Sequence, residues 1–341
     1  MQMTTKQEYM NIFLLRCAGS CIIRECCCTG YIMLVVAEVQ GNPAAAGTAG
    51  VPASDTFLTD HPEILYDTMT RYGFIGTGSM GSMLVRKFTG TGMIAPAAIA
   101  ASSKSGISSG ALAEKTGITA APSNPAAAQG AGVLFLCVKP GGVRGVLEEV
   151  RPVLAPGTLI VSIAGGVTLA DLEAWAGPAH RYVRVIPSIA AEQEAGVSLV
   201  AWGRGVTPGD RALILRLFNA IGTAVETDEE KFGLYIDLTS CAPAFIAVMM
   251  REFAAAAVRT GGIEPALAEF LVRKTLAGTA RVLDDDGTGF DTVVTRVATK
   301  GGITREGVNV LEARLPAVYD EVLRATKEKR RVVAEGLAGK G

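Results

Sequence analysis

Histidine is nearly missing from this chain: its 341 residues include two, His61 and His180. A centre built from several imidazoles is excluded, and no metal site is expected. Charged residues are scarce at 19%, and aromatics at 6%. There is no basic surplus, because 32 Lys and Arg meet 33 Asp and Glu for a net charge of −1. Nothing therefore advertises nucleic acid or an anionic lipid surface as a partner. Long clean apolar runs are missing as well. The longest uncharged stretches, 116–138 and 152–170, are interrupted by Pro122, Asn124, Pro125 and Gln129, or by Pro152, Pro156 and three glycines. A membrane-spanning helix needs about 20 predominantly apolar residues in a row. These runs read as buried strands and turns, and the expectation is a soluble, cytoplasmic protein with no membrane partner.

Glycine and apolar residues are what the chain has in plenty. The 40 glycines and 49% apolar content exclude wholesale disorder, and the length allows two or three domains. The first 68 residues do not match the rest. They hold five of the seven cysteines (Cys17, Cys21, Cys26, Cys27, Cys28) and a net charge of −4, against +3 for the remainder. Residues 40–56 have a linker's Ala/Gly/Pro/Ser/Thr composition. A signal peptide fits poorly, because Arg16, Arg24 and Glu25 break up the apolar pieces. A metal knuckle fits poorly too, because the cysteines lack a second ligand pair. Residues 1–68 are expected to be a disordered extension outside the fold, upstream of a start at Met69.

From Met69 the pattern becomes orderly. A short apolar strand, 72–75, runs into Gly76-Thr77-Gly78-Ser79-Met80-Gly81, and an amphipathic helix continues over Ser82–Phe88. A G-x-G-x-x-G turn that follows a strand and opens a helix is a dinucleotide-binding signature. Gly76 makes the tight turn, Gly78 lets backbone approach a diphosphate, and Gly81 lets helix and strand pack closely. The diphosphate then sits on the helix N-terminus. The second strand, Ile99–Ser102, runs into Ser103-Lys104-Ser105, and no acidic residue occurs between Gly76 and Ala113. An NAD binder would place a carboxylate there for the ribose 2′-hydroxyl. Hydroxyls with one cation suit a 2′-phosphate, so Ser102, Ser103 and Lys104 point to NADPH, with NADH the alternative.

Further strands are expected at 133–138, 159–163, 181–186 and 197–201. Ligand-facing loops in such sheets lie beyond the carboxyl ends of the strands. That rule places Val138, Lys139 and Pro140, then Ala164, Gly165 and Gly166, and Ser188, around the nicotinamide half of the crevice. After Asp228 the pattern turns helical, over 231–260, 266–283 and 305–325. Apolar residues such as Leu234, Leu238, Val248 and Phe253 cover more than one face, more than a single layer can bury. A second copy of the chain is the expected cover. The fold class is thus α/β: an N-terminal Rossmann-type doubly wound sheet (69–228), an all-helical C-terminal dimerisation domain (229–330) and a tail (331–341).

Five segments taken in order resemble the pyrroline-5-carboxylate reductase family, from about Arg71 to Lys327. They are Gly73–Gly81, Cys137-Val138-Lys139-Pro140, Ser162–Gly166, Asp237–Ala244 and Lys300-Gly301-Gly302-Ile303-Thr304. The chain reads Ile186-Pro187-Ser188 where that family usually reads Met-Pro-Asn. It reads Cys241-Ala242-Pro243-Ala244 where the family has glycines before Pro-Ala. Residues 184–189 and 300–307 are most similar to the late-competence, ComER-type branch. The resemblance implies NADPH-dependent reduction of 1-pyrroline-5-carboxylate to proline, in a homodimer or larger homo-oligomer. Reduction of a protonated imine needs placement more than a strong acid. Gly301, Gly302 and Ile303 would offer backbone N–H groups to the substrate carboxylate. Thr304 would be the catalytic hydroxyl, near the ring nitrogen, or simply a helix N-cap, and Ser188 would line the substrate side. His180 reads as structural. Two alternatives stay open: a regulatory NADP-binding protein with little turnover, and a β-hydroxyacid dehydrogenase using Lys231 or Lys274.

Overall fold

The structure, a computed structural model, describes residues 70–285 and 287–338. The expectations for residues 1–68 lie outside the described residues. Eight strands form one sheet in the order β3-β2-β1-β4-β5-β6-β7-β8. They are β1 (Tyr72–Ile75), β2 (Ile99–Ser102), β3 (Thr119–Ala120), β4 (Val133–Leu136), β5 (Leu159–Ser162), β6 (Arg181–Ile186), β7 (Gly196–Trp202) and β8 (Gly222–Glu226). All neighbours are parallel except β6 and β7. The order reverses between β1 and β4, so a crevice opens beyond their carboxyl ends, the place where doubly wound sheets bind ligands.

The helices of this half are α1 (Ser79–Gly90), α2 (Ile107–Thr116), α3 (Asn124–Ala128), α4 (Pro140–Val150), α5 (Leu169–Ala176) and α6 (Pro208–Asn219). They cover both faces of the sheet. Alternate side chains of the central strands feed two cores. One holds Phe74, Phe88, Phe135 and Phe218, with Phe74 stacked on Phe135 at 4.4 Å. The other holds Ile75, Leu134, Leu136, Ile160 and Leu147. With both faces buried, these strands read as unbroken apolar runs. α5 and α6 each begin with a capping box, Thr168 with Asp171 and Thr207 with Asp210, which satisfies amides a helix start leaves free.

The helical half begins with a single turn at Glu229–Lys231, continues as α7 (Phe232–Ile236), and passes through a π-helical turn (Asp237–Cys241) into α8 (Ala242–Gly261). α9 (Pro265–Leu283), α10 (Phe290–Val297) and α11 (Ile303–Ala338) follow. Arg184 of β6 fixes where this half leaves the sheet. It donates to Glu229 at 2.5 Å and lies 5.0 Å over the Phe232 ring, while Glu229 also accepts the Leu169 N–H.

Four expectations differ from this picture. β3 and β8 are additional strands and α10 an additional helix. The helix expected over 305–325 runs from 303 to 338, so no separate tail begins at 331. The helix expected over 231–260 is interrupted by the π-turn. The reason is Pro243, whose missing N–H cannot bond the carbonyl of Thr239 four residues back.

Candidate active site

The glycine turn is built as its spacing implies. Gly76 has φ +96°, and a Cβ there would lie 2.6 Å from the Cys137 carbonyl oxygen. A Cβ on Gly81 would lie 2.1 Å from the Gly76 oxygen, so only glycine lets α1 approach β1 this closely. Gly78 is the opposite case: exposed, with no protein atom within 4 Å of an added Cβ. It caps α1 without a side-chain hydrogen bond, and the first turn of that helix carries no acid. Gly78, Ser79 and Met80 therefore face open space at a positive helix end. The Thr77 hydroxyl shares a hydrogen bond with Ser108 at 2.7 Å, and its carbonyl accepts from Ser82 at 2.8 Å.

Backbone hydrogen bonds tie the strand ends together. Gly76 N–H donates to Ser102 O at 3.0 Å, Cys137 N–H to Ile75 O at 2.8 Å and Ile163 N–H to Leu136 O at 3.1 Å. Val138, Lys139, Pro140, Ala164 and Gly165 thus stand along the same edge as the glycine turn. Lys139 and Gly165 are exposed there, and Ala164 is buried. Burial pushes the Cys137 thiol up to about 12, so it stays a neutral packing group behind Gly81.

The loop after β2 divides the residues expected to hold a 2′-phosphate. Ser102 is buried and its hydroxyl donates to Asn124 Oδ1 at 2.8 Å, with Asn124 bonded onward to Glu149. It faces α3 rather than the open loop. Ser103 accepts the Ser109 N–H at 3.2 Å and shares a hydrogen bond with the Ser109 hydroxyl at 3.0 Å. Lys104 and Ser105 are exposed. Gly106 adopts φ +73° and opens α2 without a side-chain cap. Ser108 and Ser109 were not among the expected residues, although the hydroxyl run 102–109 contains their signal.

Ser188 is buried, and its hydroxyl donates to Thr239 O at 3.3 Å. That carbonyl is the one to which Pro243, four residues on, has no N–H to donate. The Ser240 hydroxyl returns the link, donating to Pro187 O at 3.1 Å. Ser188 thus supports the loop more than it lines it, a role that residue type and position alone could not reveal.

The remaining expected residues are elsewhere. Gly301 (φ +75°) and Gly302 precede α11, and Gly302 N–H donates to Thr299 O at 3.0 Å. Ile303 is 95% exposed. Thr304 is exposed as the second residue of α11, so it is not the N-cap. No hydrogen bond or ion pair given for Gly301–Thr304 reaches the strand-end loops within one protomer. His180 precedes β6, at the opposite edge of the sheet. Burial lowers its pKa against a hydrogen bond to the Ala155 backbone, with Arg151 nearby adding to the effect.

A family model described as pyrroline-5-carboxylate reductase dimerisation matches residues 229–333, and one described as NADP oxidoreductase, coenzyme F420-dependent, matches 71–166. The pyrroline-5-carboxylate reductase of Escherichia coli is 32% identical over 244 residues, which is 72% of this chain and 90% of that protein. The chain belongs to the pyrroline-5-carboxylate reductase family. The solved pyrroline-5-carboxylate reductase of Coxiella burnetii superposes with a TM-score of 0.73 at 26% identity, covering 78% of this chain and 99% of that one. ComE operon protein 4 of Bacillus subtilis is 27% identical over 260 residues, 76% of this chain and 94% of that protein, in keeping with the late-competence branch. As a pyrroline-5-carboxylate reductase family member the chain is an NAD(P)H-dependent imine oxidoreductase with a homo-oligomeric helical half. One stretch among the described residues, Glu229–Gly261, is long and apolar enough to cross a membrane, and little of it is buried within one chain. It falls inside the segment matched by the dimerisation model.

Proposed function

We propose that this protein reduces 1-pyrroline-5-carboxylate to proline with NADPH, in the cytoplasm, as a homodimer or higher homo-oligomer. The observation that carries the cofactor half is the uncrowded backbone of Gly78 at the start of α1, on the sheet's reversal point; family membership carries the substrate half. Gly76, Thr77, Gly78, Ser79, Met80 and Gly81 would hold the diphosphate on backbone N–H groups. Ser103 and Lys104, with Ser108 and Ser109 beside them, would hold the 2′-phosphate. Ser102 belongs behind this set, orienting Asn124. Val138, Lys139, Pro140, Ala164 and Gly165 border the nicotinamide end.

NADPH, when bound, supplies hydride to the imine carbon, and the ring nitrogen ends as the amine of proline. Gly301 and Ile303 would offer backbone N–H groups for the substrate carboxylate, and Gly302, its N–H bonded to Thr299 O, would shape the turn between them. The Thr304 hydroxyl, not needed as a cap, is free to hold a proton at the ring nitrogen. These groups are exposed in one protomer, and so are Leu238, Val248, Phe253 and Val310 of the surrounding helices. Pairing of two copies would cover those helices and bring residues 301–304 of one protomer to the crevice of the other. That pairing, rather than lipid, is the proposed cover for Glu229–Gly261, and neither membrane nor nucleic acid is a partner. The test is NADPH oxidation dependent on pyrroline-5-carboxylate, with proline formed mole for mole. NADPH binding without turnover would favour a regulatory role instead.

A further inference from the structure

The π-turn is held from both sides. Asp237, its first residue, is buried, and two residues of α11 close on its carboxylate. Arg330 donates to Oδ1 at 2.6 Å and to Oδ2 at 2.7 Å, a bidentate contact, and the Thr326 hydroxyl donates to Oδ2 at 2.8 Å. A charge-assisted two-point contact fixes orientation as well as distance. On its other side the turn grips the end of β6, through Ser188 to Thr239 O and Ser240 to Pro187 O. Ser188 in turn organises the residues after it, accepting the Ala190 N–H at 3.4 Å on its hydroxyl and the Ala191 N–H at 3.1 Å on its carbonyl. One continuous set of hydrogen bonds thus runs from the last helix, through the π-turn, to the loop at the crevice.

We propose that Asp237, Arg330 and Thr326 are positioning residues, which hold the π-turn so that residues 187–190 keep the shape the substrate end of the crevice requires. None of the three is placed at the reacting atoms, so each acts through the turn. A plain staple between the two halves would affect stability alone. A positioning device would instead alter handling of the imine and leave NADPH binding intact. What the loop does for substrate rests on the functional reading above; the coupling itself does not.

Arg330→Met, Arg330→Lys and Thr326→Val are compared with Arg331→Met, which removes an exposed ion pair with Glu328 on the same helix. The readouts are imine KM and kcat, NADPH affinity, and amide exchange at Ala190 and Ala191. Arg330→Met is expected to raise the imine KM about tenfold with NADPH affinity unchanged, and to speed exchange at both amides about tenfold. Arg330→Lys, which keeps the charge but not the two-point contact, should restore only part of both, and Arg331→Met should match the parent. Should Arg330→Met fail to fold, Thr326→Val carries the test, with changes of about threefold in the same direction. Parental KM and parental exchange in a folded variant would overturn the proposal. A parent without imine turnover would overturn the functional reading alone, and exchange would still decide the coupling.

Discussion

Gly78 and Gly81 sit three residues apart in one turn, yet the structure gives them opposite responses to the same added methyl. At Gly81 the new Cβ would lie 2.1 Å from the Gly76 carbonyl oxygen and 2.9 Å from the Cys137 Cβ. Neither neighbour is a flexible side-chain end, so α1 has to move off β1. Overpacking of this kind costs about 1–3 kcal/mol. At Gly78 nothing lies within 4 Å of the new Cβ, and φ −71° with ψ −167° is open to any residue. Gly78→Ala therefore changes stability little, because a gain of about 0.4–1 kcal/mol through the unfolded chain is offset by the poorer N-cap that Ala makes. The methyl does occupy the space assigned to a diphosphate. Displacing that anion weakens hydrogen bonds worth about 1.5–3 kcal/mol each when one partner is charged, so NADPH affinity should fall about 10–100-fold. Urea unfolding and NADPH fluorescence titration on both variants make the comparison. A Gly78→Ala protein that binds NADPH as the parent does would refute the assignment of the cofactor to this turn, and a fully stable Gly81→Ala protein would refute the packing argument.

Four further outcomes are expected. Ser103→Asp should reverse the preference for NADPH over NADH, because a carboxylate repels the 2′-phosphate and binds the 2′-hydroxyl; equal affinities in the parent at matched ionic strength would count against this. Thr304→Val should lower kcat/KM for the imine about 10–100-fold, about 1.4–2.7 kcal/mol, with NADPH affinity unchanged; since Thr304 is not a cap, no stability loss should accompany it. Phe253→Glu, at a side chain 64% exposed in one protomer, should reduce assembly in sedimentation, and an unaltered oligomer would exclude that face from the interface. His180 has a pKa below 6.5 because burial disfavours its charged form, so the unfolded chain takes up its proton first. Stability should fall as pH drops from 6.5 through the folded pKa, and His180→Gln should flatten that slope in thermal melts.

The strands that sequence reveals are those buried on both faces. β1, β2, β4 and β5 are short, mainly apolar runs, β6 sets Arg181 and Arg184 among apolar residues, and the limits of all five fall within two residues of expectation. β3 consists of Thr119 and Ala120, both exposed, and β8 is a half-exposed edge strand, so neither has a periodic signal. α11 was under-read because Lys- and Arg-rich residues 327–331 resemble a solvated tail, whereas Arg330 reaches back 93 positions to Asp237. The glycine turn is legible at Gly76 and Gly81, which answer backbone and packing requirements, whereas Gly78 faces open space and its reason lies with the proposed diphosphate. Ser102 and Ser188 show where such reading stops. Their places at strand ends are apparent, but the direction of each hydroxyl depends on Asn124 and on the Thr239 carbonyl. Residues 301–304 are legible as a helix start, and their proposed place at a partner's crevice rests on a second copy that one sequence does not display.

The central claim is hydride transfer to a cyclic imine, and isotope transfer tests it most directly. The protein is supplied with pyrroline-5-carboxylate and NADPH deuterated on the transferring face of nicotinamide C4, each face being tried. The account predicts proline carrying one deuterium on the ring carbon bonded to nitrogen and remote from the carboxylate, formed in step with cofactor oxidation. Cofactor binding with no deuterium in proline from either face would contradict it.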